Sequence, residues 1–305
     1  MTTVAAHAAP IGRANARSLY DSHDLYRYDR TAPLLPGPDA VDAAAREAFA
    51  RDGFLAVANV LTPDEVAEAT QGLDDLLHAR LPGYEGILQP EYEYRERWPE
   101  MSQAEKAAAT RKVWRFVDYE PRNRRIAIGH PVLEGLITKL LGEPAHLIQD
   151  MALLKPPHIG SEKPWHQDAA YFGWYPPEKI LGVWIALDPA TPENGCMHAI
   201  PGTHRSGPAP HVHVRDCQLP DERVAVDQDV VVPLPPGGAM LFSALLHHGT
   251  PPNQSPARRW AVQFHYAAAS CREITRREHA DLFFEGDRYA GCRGGTGTPL
   301  AELEP

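Results

Sequence analysis

Hydrophobic positions recur with two different periods along this chain. Up to about residue 144 they follow helical spacing. Val66, Ala69, Leu73, Leu76 and Leu77 form one stripe, opened by the capping box Thr62-Pro63-Asp64-Glu65 and stopped by Pro82-Gly83. Val132, Leu133, Leu136, Ile137, Leu140 and Leu141 form another, closed by Gly142 and Pro144. A shorter helix is predicted from Asp42 to Asp52, ending at Gly53 before a strand over Phe54–Val60, and Ser102-Gln103-Ala104-Glu105 opens a further capped helix. From about residue 146 short apolar runs alternate with Pro, Gly and Asn turns: Leu147–Lys155, Leu181–Asp188, Cys196–Ile200, Val230–Leu234, Ala239–Leu245 and Trp260–Ala267. Strands at that spacing predict a barrel or sandwich. Helices first and strands second predict an α+β arrangement, with helices packed on one side of a β core.

Composition refines this reading. Proline is 30 of 305 residues, close to double the usual ~5%, which suits a chain with many strand ends to terminate. Lys and Arg total 30 against 40 Asp and Glu, a formal charge of −10. That balance argues against a nucleic-acid partner, which needs a broad basic face, but not against an anionic small molecule held by a few arginines. No run approaches 18 uninterrupted apolar residues, so no membrane span is expected. Cys196, Cys217, Cys271 and Cys292 form no CxxC pair and are expected to be reduced thiols of a cytoplasmic protein. The first twenty residues are Ala-rich with Arg13 and Arg17 and lack an apolar signal core; they read as a disordered terminus rather than a transit peptide. The whole chain, 1–305, is expected to be one domain. Residues 1–35 form a flexible or extended N-terminus, 36–144 a mainly helical part, 145–270 a β core and 271–305 a C-terminal extension.

The candidate chemistry lies in the β half. In Trp165-His166-Gln167-Asp168 the i, i+2 spacing puts an imidazole and a carboxylate on one face of an extended segment. One more ligand would complete a two-His-one-carboxylate facial triad, which leaves metal positions open. Alone, an HxD tripeptide is most often a pair of surface polar residues. Leu245-Leu246-His247-His248-Gly249-Thr250 offers two further histidines, which face opposite ways on a strand, so one of them at most serves. The next strand alternates strictly. Arg259, Ala261, Gln263 and His265 share one face, and Trp260, Val262, Phe264 and Tyr266 the other. The apolar face belongs on the core, which turns an arginine fork, suited to a carboxylate, toward a cavity. Leu181–Asp188 splits the same way, leaving Trp184 free to lend a buried indole N–H to an acceptor there.

The blocks WHQDAAYF, GVWIALDPATPENGCMHAIPGTHRSG and PPGGAMLFSALLHHGTPPNQSPARRWAVQFHY, in that order from about residue 145 to 267, resemble the phytanoyl-CoA dioxygenase family. The resemblance implies an iron(II)- and 2-oxoglutarate-dependent oxygenase on a double-stranded β-helix, the jelly-roll or cupin-like core, with N-terminal helices packed on one sheet. It implies Fe(II) on His166, Asp168 and His248, the last chosen over His247 because it stands immediately before Gly249-Thr250. It further implies 2-oxoglutarate held by Arg259, eleven residues beyond, with Thr250 and Trp184 in support. Dioxygen is the oxidant, an unactivated C–H of a small molecule is hydroxylated, and succinate and CO2 are released.

Substrate residues are a separate matter. Gln149, Met151 and Lys155 share a strand face that could line the cavity. Tyr171, Phe172 and Trp174 follow the HxD closely, and Trp114, Arg115 and Asp118 lie in the helical half, where pocket wall and helix packing are equal readings. The chain does not end in a peroxisomal address, and a monomer or homodimer is expected. Two other classes would suit the same barrel. A metal-dependent cupin-like isomerase or hydrolase would not need Arg259, and a non-catalytic binding protein would be expected to have lost a triad residue.

Overall fold

The computed structural model describes residues 23–84, 87–285, 288, 289, 292, 298 and 299. Its N-terminal part carries β1 (Leu34–Leu35), α1 (Ala43–Asp52), β2 (Phe54–Val57), α2 (Pro63–Leu77), β3 (Ile87–Pro90), α3 (Gln103–Ala109), β4 (Thr110–Trp114), α4 (Pro121–Ala127) and α5 (Pro131–Leu141). Strands then dominate: β5 (Ala145–Lys155), β6 (Lys163–His166), β7 (Trp174–Tyr175), β8 (Ile180–Ala186), β9 (Met197–Ala199), β10 (Val212–His213), β11 (Cys217–Gln218), β12 (Val230–Val232), β13 (Ala239–Ser243), β14 (His248–Thr250) and β15 (Arg259–Ala268), before α6 (Arg276–Phe283).

The capping signals work as read. Thr62 Oγ1 accepts from Glu65 N while Glu65 accepts from Thr62 N, and Ser102 and Glu105 repeat the exchange at α3. Asp42 caps α1 by accepting from Ala45 N, and Gly53, at φ +85°, ends that helix in the left-handed region a side chain would resist. α2 stops at Leu77, ahead of Pro82-Gly83, because His78 and Arg80 fold back onto Asp74 and Asp75.

Two sheets carry the molecule. The larger runs β1-β2-β13-β8-β15-β5-β4-β3 and the smaller β12-β9-β14-β6. Strand alternation decides which residues go where. Leu181, Val183 and Ile185 of β8, with Val262 and Phe264 of β15, face the apolar sides of α1, α2, α4 and α5 in the main core. Trp184, Ala186 and Ala261 point the other way and pack with Met240 and Phe242 against Met197, Ala199, Val231 and Val232 of the smaller sheet. The helices therefore cover one face of the large sheet, and the site lies on its other side.

Some expectations need correction. The region 36–144 carries α1–α5 but also supplies β2–β4, of which β3 and β4 were not expected, and β4 and β3 extend the large sheet past β5. In β4 only Val113 enters the main core, and Val113 and Trp114 are adjacent, so the strand shows no hydrophobic alternation to betray it. Of the expected flexible terminus, residues 1–22 lie outside the described residues, as does most of 271–305 beyond Glu285. From residue 23 the chain is anchored. Tyr26 is buried, stacks on Trp165 with ring centroids 5.4 Å apart and donates to Glu162 Oε1 at 2.9 Å. The cysteines are not all free: Cys217 and Cys292 form a disulfide across a Cα–Cα distance of 5.6 Å, leaving Cys196 and Cys271 as thiols. Among the described residues no helix is long and apolar enough to cross a membrane.

Candidate metal and co-substrate site

His166 ends β6 and His248 begins β14, and antiparallel pairing places the two opposite each other, ring centroids 4.3 Å apart. Asp168 opens a short 3-10 turn, Asp168–Tyr171, that brings its carboxylate under both rings. The tautomers follow from the partners. His166 Nδ1 faces two carbonyl oxygens, Pro164 at 2.8 Å and His248 at 3.1 Å, and His248 Nδ1 faces Leu246 O at 3.0 Å. Carbonyls only accept, so both Nδ1 atoms carry hydrogen and both Nε2 atoms present lone pairs. Burial, reinforced by His248, pushes His166 down to about 3, so its ring is neutral at ordinary pH.

His166 Nε2 lies 3.1 Å from Asp168 Oδ1 and His248 Nε2 lies 3.5 Å from Oδ2; all three ligand atoms fall within 4.8 Å of one another. Two lone pairs and a carboxylate thus converge in a buried spot with no hydrogen between them. That is a repulsive arrangement for protein alone and a fitting one for a divalent cation. His247 is not among the converging ligand atoms and does not line the cavity they open on.

The three ligands open on a cavity of about 670 Å³, counting its mouth, which Arg259 and Thr250 also line. Arg259 is completely enclosed. Its Nη1 donates to Leu153 O at 3.3 Å, its Nε has no partner, and its guanidinium lies 5.1 Å from the Trp184 ring centroid. Burial lowers it to about 10. A buried guanidinium so sparsely paired costs stability unless an anion completes it. Trp184 does not line the cavity; it lies beneath Arg259, its own indole N–H unpartnered.

Gln149, Met151, Lys155 and Tyr171 do line the cavity. Lys155 is the most committed of these, donating to the carbonyls of Ser161 and Pro251 at 2.5 and 2.7 Å. Four of the expected substrate residues, Phe172, Trp174, Arg115 and Asp118, do not line it. Trp174 packs edge-on against His146, 4.9 Å between ring centroids, and Arg115 is exposed at a φ of +55° that swings it outward, as is Asp118. Of that helical-half cluster Trp114 alone lines the wall. Three contributions went unread. Lys112 and Arg111 enter from β4, and Lys163, from just ahead of the HxD, joins them with Asp216 at 2.9 Å. Lys112 is nine-tenths buried and makes no hydrogen bond or ion pair among the described residues. Gln263 and His265 both reach Asp168 Oδ2.

Gly182 of β8 makes room for Phe242, whose ring sits 4.7 Å from His248; a Cβ at Gly182 would meet Phe242 Cζ at 2.5 Å. Gly182→Ala should therefore cost about 1–3 kcal/mol through overpacking, read as a lowered Tm, with weakened metal affinity as Phe242 is driven onto His248. An unchanged Tm would show that the ring yields freely.

Known proteins resemble this chain in the same region. "Phytanoyl-CoA dioxygenase domain-containing protein 1" of Rattus norvegicus is 34% identical over 152 residues, 46% of this chain and 51% of that protein, so the match spans about half the length of each. "L-proline trans-4-hydroxylase" of Streptomyces griseoviridis is 32% identical over 181 residues, 58% of each. Among solved structures, the non-heme alpha ketoglutarate dependent epimerase SnoN from nogalamycin biosynthesis superposes with a TM-score of 0.58 at 25% identity, covering 85% of this chain and 96% of its own. A family model described as phytanoyl-CoA dioxygenase matches residues 49–261, the stretch that runs from α1 to β15 and holds every ligand and cation just described, and the chain belongs to that family.

Proposed function

We propose that this protein is an Fe(II)- and 2-oxoglutarate-dependent dioxygenase that hydroxylates an unactivated C–H of a small molecule, its two sheets forming a double-stranded β-helix. The observation that carries this reading is one cavity shared by a two-His-one-carboxylate centre and a buried, sparsely paired guanidinium. An isomerase or hydrolase on the same metal has no use for the second feature. The ketoglutarate-dependent epimerase supports the co-substrate, and the related proline hydroxylase supports hydroxylation.

Iron, when bound, supplies oxidation of a substrate C–H by dioxygen, coupled to conversion of 2-oxoglutarate to succinate and CO2. The chain's own part is placement. His166, Asp168 and His248 hold the metal, while Arg259, backed by Trp184 and beside Thr250, receives the far carboxylate of 2-oxoglutarate as a bidentate pair. Lys112 is the second unpaired cation of the cavity and suits the other end of a dicarboxylate. Trp114, Gln149, Met151 and Tyr171 line the space left for substrate. Succinate release from 2-oxoglutarate, measured with and without Fe(II) across a panel of amino acids and other small molecules, tests the reading. Iron- and oxygen-dependent succinate is expected; none, coupled or uncoupled, from fully iron-loaded protein would overturn it.

The Lys112 assignment has its own signature. Burial, with Arg111 and Lys163 beside it, lowers Lys112 to about 7, so near neutral pH a large fraction is uncharged. A carboxylate arriving next to it favours the ammonium form, so binding takes up a proton and weakens as pH rises through that value. Calorimetry of 2-oxoglutarate binding in two buffers of different ionisation enthalpy should show this uptake in wild type and not in Lys112→Met. Equal enthalpies in both buffers for wild type would remove Lys112 from the anion site.

A further inference from the structure

We infer that His265, together with Gln263, is a positioning residue that restricts Asp168 to ligation through a single oxygen. The inference rests on the proposed reading of the His–Asp–His centre and goes beyond it. Both residues lie on β15, on the face that begins with Arg259, and both are buried. His265 Nε2 is 2.7 Å from Asp168 Oδ2, and Gln263 Nε2 is 2.9 Å from the same atom. A nitrogen that close to an ionised carboxylate carries a hydrogen, so His265 donates from Nε2, which also lies 3.1 Å from Gln263 Nε2, while its Nδ1 is buried without a partner. Two N–H donors therefore occupy Oδ2, which lies 3.5 Å from His248 Nε2, while Oδ1 lies closer to its histidine, 3.1 Å from His166 Nε2.

The consequence concerns how many positions remain free. A carboxylate bound through both oxygens takes two places on an octahedral ion; with two imidazoles, that leaves two. Bound through Oδ1 alone it leaves three, the number needed for a chelating 2-oxo acid plus dioxygen. Hydrogen bonding also fixes the carboxylate plane, as outer partners of metal ligands do. The site for this is built into the sheet. Gly182 stands opposite His265 and Trp184 opposite Gln263 in the β8–β15 register, so the imidazole has room beside Phe172, ring centroids 4.6 Å apart. One strand thus presents the co-substrate's arginine and the clamp on the metal's carboxylate.

Co(II), which reports coordination through its visible absorption, is the probe. Titrated into wild type, His265→Leu, Gln263→Leu, His265→Gln and His166→Ala, with far-UV circular dichroism and Tm of each metal-free protein as folding controls, it should separate the roles. Both Leu variants are expected to bind Co(II) about 10- to 100-fold more weakly with an altered visible band, and 2-oxoglutarate should bind their Co(II) forms more weakly because a position has closed. His265→Gln, whose amide N–H reaches where Nε2 did, should recover most of the affinity and the wild-type band. His265 and Gln263 variants with wild-type Co(II) affinity and spectrum, beside a His166→Ala variant that has lost the metal, would overturn the inference alone. A His166→Ala protein that binds Co(II) like wild type would overturn the metal centre and the inference with it.

Discussion

His166→Ala is expected to abolish metal binding and to lower succinate formation at least about a thousandfold, about 4 kcal/mol of lost transition-state stabilisation. Two things are removed at once. One is the Nε2 lone pair that faces Asp168 Oδ1; the other is the Nδ1–H bonded to Pro164 O and close to His248 O. The second loss leaves buried carbonyls unsatisfied and lowers stability by about 1–3 kcal/mol even without metal, so a fall in Tm alone proves nothing about ligation. The metal-dependent part of the Tm separates them. Wild type should gain about 2.7 kcal/mol from a divalent ion at a hundredfold excess over its Kd, and His166→Ala should gain nothing. His247→Ala is the matched control, because His247 is not among the converging ligands, and it should keep both the metal response and turnover. A His166→Ala protein that still gains stability from Fe(II) or Mn(II) and still releases succinate would remove the centre from the mechanism.

The second large effect belongs to Arg259 and differs in kind. Arg259→Met should raise the 2-oxoglutarate requirement roughly 30- to 1,000-fold, the equivalent of about 2–4 kcal/mol for truncating one side of a buried charge pair, with metal affinity unchanged. The stability of the protein without 2-oxoglutarate should move the opposite way. Arg259 is buried with one long hydrogen bond and an unpartnered Nε, so removing its charge removes a burial cost. The metal-free variant is therefore expected to melt at or above the wild-type temperature while losing the stabilisation that 2-oxoglutarate confers on wild type. Arg259→Lys keeps the charge but not the fork and should fall between. Wild-type 2-oxoglutarate dependence in Arg259→Met would place the co-substrate elsewhere.

How far the site could be read in advance depended on whether its residues were related locally. His166 and Asp168 are two apart, and the face shared by Arg259, Gln263 and His265 follows from a strict period of two in a strand of branched and aromatic residues. β4 escaped because Thr110–Trp114 holds a single core residue, Val113, and its inward positions are a lysine and a tryptophan. Trp174 and Arg115 were misplaced for the converse reason. Closeness in sequence to a ligand or a wall residue says nothing about direction once a 3-10 turn or a left-handed backbone intervenes. The Cys217–Cys292 bridge, 75 residues apart, had no local signature at all.

By itself the sequence determined the helical and extended halves, the caps that begin the helices, the faces of the long strands and the blocks that mark the family, because each rests on neighbours within a turn or a strand. Only the tertiary structure decided that His166 and His248 meet across paired strands, that Arg259 is enclosed with so few partners, that Lys112 reaches the cavity uncommitted and that His265 ends on Asp168 97 residues away. Those are long-range contacts between polar groups. No hydrophobic period records them, and they exist only once the apolar faces of two sheets and a layer of helices have brought distant segments together.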